Sequence, residues 1–178
     1  MDILSELGAL AIASRMKRMS EAIMRSGAEV YRYYGVDFEP KWFAVYYCLS
    51  EKGELGIMEI AEMLKLTHPA VIQLAKELEK KGLIGSKKSV EDARKRKLKL
   101  SKKGLELLPK MQKIWEEIRL VNTKIIENQE HNLLTALEDL ENSWAEKDYL
   151  SHFTKFDFEV ELKESKNIKI KEQYTKRP

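Results

Sequence analysis

The residues with the clearest potential chemistry are the lysines and arginines between Lys76 and Lys103. This stretch holds twelve of them against four acids, a local charge of +8, whereas the whole 178-residue chain carries only +3. From Glu116 to Asp148 the balance reverses, with nine acids against three bases. Cations at this density are typical of a surface that neutralises the phosphates of a polyanion. An acidic protein or an anionic membrane would be attracted by the same charge, so these alternatives stay open.

Two short helices are predicted to position this basic stretch. Residues 56–65 place apolar side chains at helical spacing, and a new helix start follows at Thr67. Thr67 is a suitable N-cap, and Pro69 is tolerated there because the first-turn N–H groups have no partner inside the helix. Gly82 follows two lysines and is predicted to end the second helix. The pattern is therefore helix, turn, helix.

The second helix has two distinct faces when its residues are advanced by 100° each. One face carries the apolar side chains and is expected to pack inward, namely Val71, Leu74, Ala75 and Leu78. The opposite face carries Pro69, Gln73, Lys76 and Lys80, with Ile72 at its edge and His68 near the N-terminus. We expect this polar face to meet a partner, although a simply solvated helix face would look similar.

The basic stretch continues as a predicted β-hairpin. Residues 83–88 and 97–100 have the character of two short strands, the second with strict polar and apolar alternation, and residues 89–96 would form the tip. Asp92 lies two residues before Arg94, close enough across a turn to orient its guanidinium. An arginine held at such a tip can enter a DNA minor groove. The alternative is a surface salt bridge of no functional consequence.

The runs IAEMLKLTHPAVIQLAKELEKKGLI and EDARKRKLKLSKKGLELL resemble the core of the MarR family of bacterial transcription regulators. The resemblance covers about residues 54–108. It implies a winged helix-turn-helix, mainly α with a small antiparallel β-wing, in a homodimer bound to double-stranded DNA. Residues 67–81 would be the recognition helix and Arg94 the wing arginine, reading a pseudo-palindromic operator with half-sites about one helical turn apart. The candidate DNA contacts are Thr67, His68, Pro69, Ile72, Gln73, Lys76, Lys80, Asp92, Arg94 and Arg96.

Long helices are predicted on both sides of this core. The first is expected over residues 2–34, with an apolar seam through Ile12, Met19 and Ile23. After the wing, a helix capped by Ser101 and a further helix around residues 133–144 continue the apolar pattern. We expect these long N- and C-terminal helices to form the dimer interface, although the same seams could pack inside one chain.

A ligand site is the least specific part of the prediction. The resemblance implies a small aromatic or anionic effector bound near the DNA-binding lobe, and the residues that could line its cleft are Trp42, Tyr46, Tyr47 and Trp115. Aromatic side chains at helical spacing are more often core, so core packing is the favoured alternative.

Other chemistry finds little support in the sequence. The three histidines are far apart and Cys48 is alone, so neither a zinc site nor an intrachain disulfide is expected. Cys48 could sense oxidants, but a buried and inert thiol is favoured in so apolar a segment. We expect no catalytic site, no cofactor and no membrane span, and a cytoplasmic location.

The predicted organisation is a MarR-type domain with its dimerisation helices over residues 1–150, a DNA-binding core at about 37–101, and a strand-like or partly disordered tail over 151–178. The predicted function is a dimeric, sequence-specific, ligand-responsive repressor of transcription. The alternatives are a protein-interaction module and a stand-alone remnant of regulators that fuse a MarR-type domain to an N-acetyltransferase, which the segment YRYYGVDFEPKWFAVYY also resembles. No glycine follows Gly104, so an acetyl-CoA loop is not expected.

Overall fold

The computed structural model describes residues 2–88, 96–146 and 149–154. Its α-helices are α1 (Ile3–Glu6), α2 (Ile12–Tyr33), α3 (Phe43–Lys52), α4 (Ile57–Leu64), α5 (His68–Lys80), α6 (Lys102–Glu127), α7 (Leu133–Glu146) and α8 (Tyr149–Thr154). The strands are β1 (Leu55–Gly56), β2 (Ile84–Lys88) and β3 (Arg96–Leu100), and 3₁₀ turns lie at Gly8–Ala11 and Pro40–Trp42. The chain divides into two compact units, one ending at Arg119 and the other beginning at Leu120.

The predicted continuous helix over residues 2–34 is wrong in its first third. Asp2 caps a single turn, α1, and the chain then passes through the 3₁₀ turn before α2 begins at Ile12. Gly8 has a φ of 55°, in the left-handed region that a regular α-helix does not contain. An isolated glycine is tolerated inside a helix, so the sequence did not reveal this break.

The sheet holds one strand more than the predicted hairpin. Its order is β1–β3–β2 and all pairs are antiparallel, with Leu55 opposite Leu98 and Ile84 opposite Leu100. Leu98 and Leu100 are buried as the alternation in β3 predicts. At two residues, β1 is too short for its own pattern to signal a strand.

The core of the first unit lies between α3, α4, α5, the sheet and the first half of α6. Its fully buried side chains include Tyr46, Ile60, Leu78, Leu98 and Met111. Burial of such side chains is the main stabilising contribution to a unit of this size. The mixture of long helices with a small three-stranded antiparallel sheet is a winged helix-turn-helix, as the sequence predicted.

The start of α6 is fixed against the sheet by two features. Ser101 accepts a hydrogen bond from the Gly104 N–H at 3.0 Å and therefore caps the helix as predicted. A Cβ at Gly104 would lie 2.1 Å from the carbonyl oxygen of Leu83, so only glycine allows this close approach. The close packing against Leu83 therefore explains why position 104 is a glycine.

The second unit contains the end of α6 together with α7 and α8. Residues 151–154, at the start of the expected tail, lie in α8. Residues 155–178, with their two strand-like segments, lie outside the described residues.

Candidate nucleic-acid interface

Helix α5 is capped and packed as the sequence predicted. Thr67 is its N-cap and accepts a hydrogen bond from the Ala70 N–H, at a long 3.4 Å. Val71, Ala75 and Leu78 are buried, so the apolar face of α5 packs into the core of the first unit. One face of the helix is thereby fixed, and the other is left to solvent.

The exposed face of α5 gathers most of the predicted contact residues. Thr67, His68, Pro69, Gln73, Lys76 and Lys80 are all exposed, and Ile72 is 40% exposed at the edge. Residues three and four positions apart on a helix are neighbours, so Gln73, Lys76 and Lys80 form a continuous polar strip. The strip has a composition suited to DNA, since its one amide can hydrogen-bond to bases and its two cations can contact phosphates.

Glu77 is a site residue that the sequence analysis missed. Its Oε1 accepts a hydrogen bond from Gln73 Nε2 at 3.0 Å, and its Oε2 accepts one from Trp42 Nε1 at 2.7 Å. Lys41 Nζ lies 2.7 Å from the same Oε2. These three donors, Lys41 foremost, lower the pKa of Glu77 to about 2. The four-residue spacing of Gln73 and Glu77 could have indicated the first contact, but nothing local indicates the other two.

The base of the wing is tied to α5 by Arg96. Its guanidinium lies 2.6 Å from Glu79 Oε1, and both groups are at least partly open to water. Arg96 was predicted to contact DNA; in this structure its partner is the carboxylate of Glu79 in α5. The pair links Arg96 of β3 to α5, and phosphates would have to compete with Glu79 for the guanidinium.

Two further lysines of the basic stretch also have acidic partners. Lys87 Nζ lies 2.9 Å from Glu54, and this contact lowers the pKa of the Glu54 carboxyl. Lys81 Nζ lies 2.6 Å from Asp37. The local charge of +8 is therefore partly balanced by acids from outside the stretch.

The tip of the wing, residues 89–95, lies outside the described residues. The roles predicted for Asp92 and Arg94 are therefore still predictions.

The four candidate ligand residues belong to one aromatic cluster. The ring centroid of Trp115 lies 6.0 Å from that of Tyr46 and 5.5 Å from that of Tyr47, while Trp42 joins through Phe38. Trp42 and Tyr46 are buried, and the Tyr46 hydroxyl donates to the Gly104 carbonyl. Only Tyr47, 44% exposed, presents much of its ring to water. Most of the set is thus core.

Cys48 is buried, with its thiol 3.8 Å from the Met63 sulfur. Burial raises the pKa of the thiol, although the charge of Lys52 opposes the shift. A buried thiol with a raised pKa is a poor nucleophile. Among residues 2–88, 96–146 and 149–154, no group of three His, Cys, Asp or Glu side chains could hold a metal ion, and no helix there is long and apolar enough to cross a bilayer.

Comparison with known proteins decides what kind of winged helix this is. The sequence model of the MarR family matches residues 39–95, from the turn before α3 to the wing tip. Residues 39–95 are therefore similar to MarR-family domains. The resemblance noted from the sequence is confirmed over this segment, and such domains are the winged helices of DNA-binding transcription regulators. A comparison with curated proteins finds no match.

Solved structures agree on the fold of the chain around residues 39–95. The transcriptional regulator BldR from Sulfolobus solfataricus is 18% identical with a TM-score of 0.58, and the match covers 83% of this chain and all of BldR. MepR from S. aureus, solved with DNA, is 20% identical with a TM-score of 0.59 over 75% of this chain and 96% of MepR. BpsR from Bordetella bronchiseptica, whose DNA binding is regulated by 6-hydroxynicotinic acid, is 14% identical with a TM-score of 0.60 over 77% and 94%. At these identities the matches establish the fold.

Proposed function

We propose that this protein is a cytoplasmic, homodimeric, sequence-specific DNA-binding transcription regulator that acts as a ligand-responsive repressor. The observation that carries the proposal is the division of α5 into a buried apolar face and an exposed face bearing Gln73, Lys76 and Lys80. The DNA complex of MepR, which shares the fold, supports the use of such a face on DNA.

The proposed contacts divide into base readers and phosphate contacts. Gln73 and His68 stand on the exposed face near the N-terminal half of α5, where a recognition helix commonly addresses base edges. Lys76, Lys80 and the wing residue Arg94 would contact phosphates or the minor groove. Thr67, Pro69 and Ile72 would line the same surface, with Asp92 and Arg96 supporting the wing.

The homodimer is supported by apolar surface on α2. Ile12, Met16, Met19 and Ile23 recur at helical spacing and are 43 to 62% exposed. Contiguous exposed apolar side chains of this kind commonly mark a protein interface. In the second unit, Leu133 and Leu134 of α7 are exposed as well. A two-fold dimer would place the two α5 helices in successive major grooves of a pseudo-palindromic operator, within a domain proposed to span residues 1–150 before the tail.

The effector is proposed to bind beside the aromatic cluster. Because Trp42 and Tyr46 are buried, the part of the cluster open to a ligand is the ring of Tyr47 next to the half-buried Trp115. Regulation of BpsR by 6-hydroxynicotinic acid supports a small aromatic acid as the first compound to test. A bound ligand would favour a spacing of the two α5 helices that no longer fits the operator.

The test of the proposal is selection of bound sequences from random DNA, followed by affinity measurements at several salt concentrations. We expect a pseudo-palindromic site bound at least a thousandfold more tightly than competitor DNA, as is typical of specific regulators (about 10³–10⁷). Arg94→Ala should weaken binding to every site, and Lys80→Ala should lower the salt slope by about one. Lys110→Ala, on α6 outside the proposed interface, is the control for loss of one charge.

Absence of any enriched sequence, with binding unchanged by Arg94→Ala, would refute sequence-specific regulation. Binding to an acidic protein under the same conditions would then favour the interaction-module alternative.

A further inference from the structure

Glu77 joins the proposed base reader to the turn before α3. It is the residue on α5 that contacts Gln73 one turn earlier on the same helix, and it also holds Lys41 and Trp42 of the Pro40–Trp42 turn. One carboxylate thus receives three donors from two separate segments. Its side chain is 24% exposed, so these contacts lie at the edge of the core.

The chemistry of a carboxylate fixes the orientation of the Gln73 amide. An ionised carboxylate can only accept hydrogen bonds, and a glutamine amide has one donor end and one acceptor end. Gln73 must therefore present its NH₂ group to Glu77, as the 3.0 Å contact from Nε2 to Oε1 shows. The carbonyl oxygen of Gln73 and its second N–H are left for other partners.

Those remaining groups form a defined pattern. An amide that offers one acceptor and one donor side by side complements adenine, which presents its N6 amino group and N7 in the major groove. We propose that Glu77 is a positioning residue that orients the Gln73 amide to read an A·T base pair, an inference that rests on the DNA-binding function proposed above. Glu77 itself does not touch the base.

The charge of Glu77 supports this role. Lys41, Trp42 and Gln73 keep the carboxyl ionised by lowering its pKa to about 2, so it remains an obligate acceptor at any physiological pH. A negative charge on the recognition helix repels phosphates and so weakens binding to all DNA. Base preference, and not affinity, is the property that Glu77 would improve.

Glu77→Gln is the informative variant because of Trp42. The indole N–H can only donate, so it would take the single carbonyl oxygen of the new glutamine. The new NH₂ group would then face Gln73, whose amide would have to turn and present its oxygen inward. The variant keeps the shape of the site but reverses the donor and acceptor ends of the Gln73 amide that faces the base.

The experiment measures binding of the full chain to DNA duplexes by fluorescence anisotropy. Site selection with the wild type and with Gln73→Ala first identifies the base pair that Gln73 reads. Affinities are then measured for the preferred duplex and for one with G·C at that pair, where a good bidentate contact gives a ratio of about 5 to 150. We expect Glu77→Gln to lower this ratio at least fivefold while binding to the G·C duplex stays equal or becomes tighter.

Two controls separate positioning from a general structural effect. Glu79→Gln removes the same charge from the same helix, but Glu79 contacts Arg96 and not Gln73, so it should change binding to both duplexes by the same factor and leave the ratio unchanged. In the Gln73→Ala background, Glu77→Gln should cause no further loss in the ratio, since the residue through which it acts is gone. A purely structural role would weaken binding to both duplexes and would persist in that background.

The outcomes distinguish this inference from the proposed function. A wild type that prefers no sequence would overturn both. A sequence-specific wild type would overturn only the inference if Gln73→Ala leaves the selected site unchanged, if the preferred pair is not A·T, or if Glu77→Gln keeps the full ratio. Circular dichroism of each variant confirms that the helices are intact.

Discussion

Helices α5 and α2 are both amphipathic, but α5 buries its apolar face within the chain and most of α2 does not. In α5 the apolar residues Val71, Ala75 and Leu78 are at most 3% exposed, because the core of the same unit covers them. In α2 only Tyr31 is fully buried, near the C-terminal end, where Trp115 of α6 donates a hydrogen bond to its hydroxyl at 3.1 Å. The seam from Ile12 to Ile23 is exposed.

This difference indicates which apolar surfaces are covered within one chain and which are left for a partner. The helix-turn-helix buries its apolar side chains in its own core and leaves a polar face exposed. A polar face suits a partner that is itself polar, such as DNA. The first part of α2 leaves apolar surface outward, which suits an apolar partner such as a second copy of the chain. The same periodicity therefore supports two kinds of interface, and predictions can test each separately.

The largest expected effect comes from placing charge in the α2 seam. Met19→Glu with Ile23→Glu should convert a dimer into folded monomers, because each unpaired carboxylate costs several kcal/mol in an apolar interface. We expect the dimer dissociation constant in sedimentation equilibrium to rise at least about 100-fold, which is 1.4 kcal/mol for each factor of ten. Arg25→Glu, about 200° around the helix from Ile23, should leave it nearly unchanged. A double variant that still dimerises as tightly would place the interface elsewhere.

The next effect comes from opening the core beneath α5. Leu78 is completely buried, and Leu78→Ala should lower the free energy of unfolding by about 2–5 kcal/mol. Ile72→Ala, on the outer edge of the same helix, should change it by less than about 1 kcal/mol. Urea denaturation at one fixed protein concentration checks both, since dimerisation makes stability depend on concentration. Equal losses at the two positions would contradict the assignment of the faces of α5.

The sequence was most informative where structure is decided locally. The two faces of α5, the Thr67 and Ser101 caps and the alternation in β3 follow from residues a few positions apart, and the structure confirms each of them. The turn at Gly8 was not predicted, because a single glycine is compatible with a helix and its positive φ depends on packing beyond the local sequence.

Contacts between distant segments could not be predicted. Glu77 meets Trp42 across 35 positions, and Arg96 meets Glu79 across 17. No period or motif encodes such pairs, because they depend on how the turn before α3 and the base of the wing pack against α5. Gln73 and Arg96 of the predicted interface are exposed in the structure, but the acids that contact them were not predicted.

The smallest expected effect concerns the acid dependence of stability at Glu77. Its pKa is lowered from the ordinary 4.5 to about 2 in the folded chain by Lys41, Trp42 and Gln73. Since the folded state binds this proton less readily than the unfolded chain, the stabilisation is full above pH 4.5 and declines as the pH falls toward 2. The difference in free energy of unfolding between wild type and Glu77→Gln should therefore shrink over that interval. Lys41→Met, which removes the largest cause of the shift but keeps an aliphatic stem, should make the decline shallower. A difference that stays constant from pH 6 to 3 would mean that the carboxylate of Glu77 gains nothing from its three donors in solution, and its role in holding Gln73 would then have to be abandoned as well.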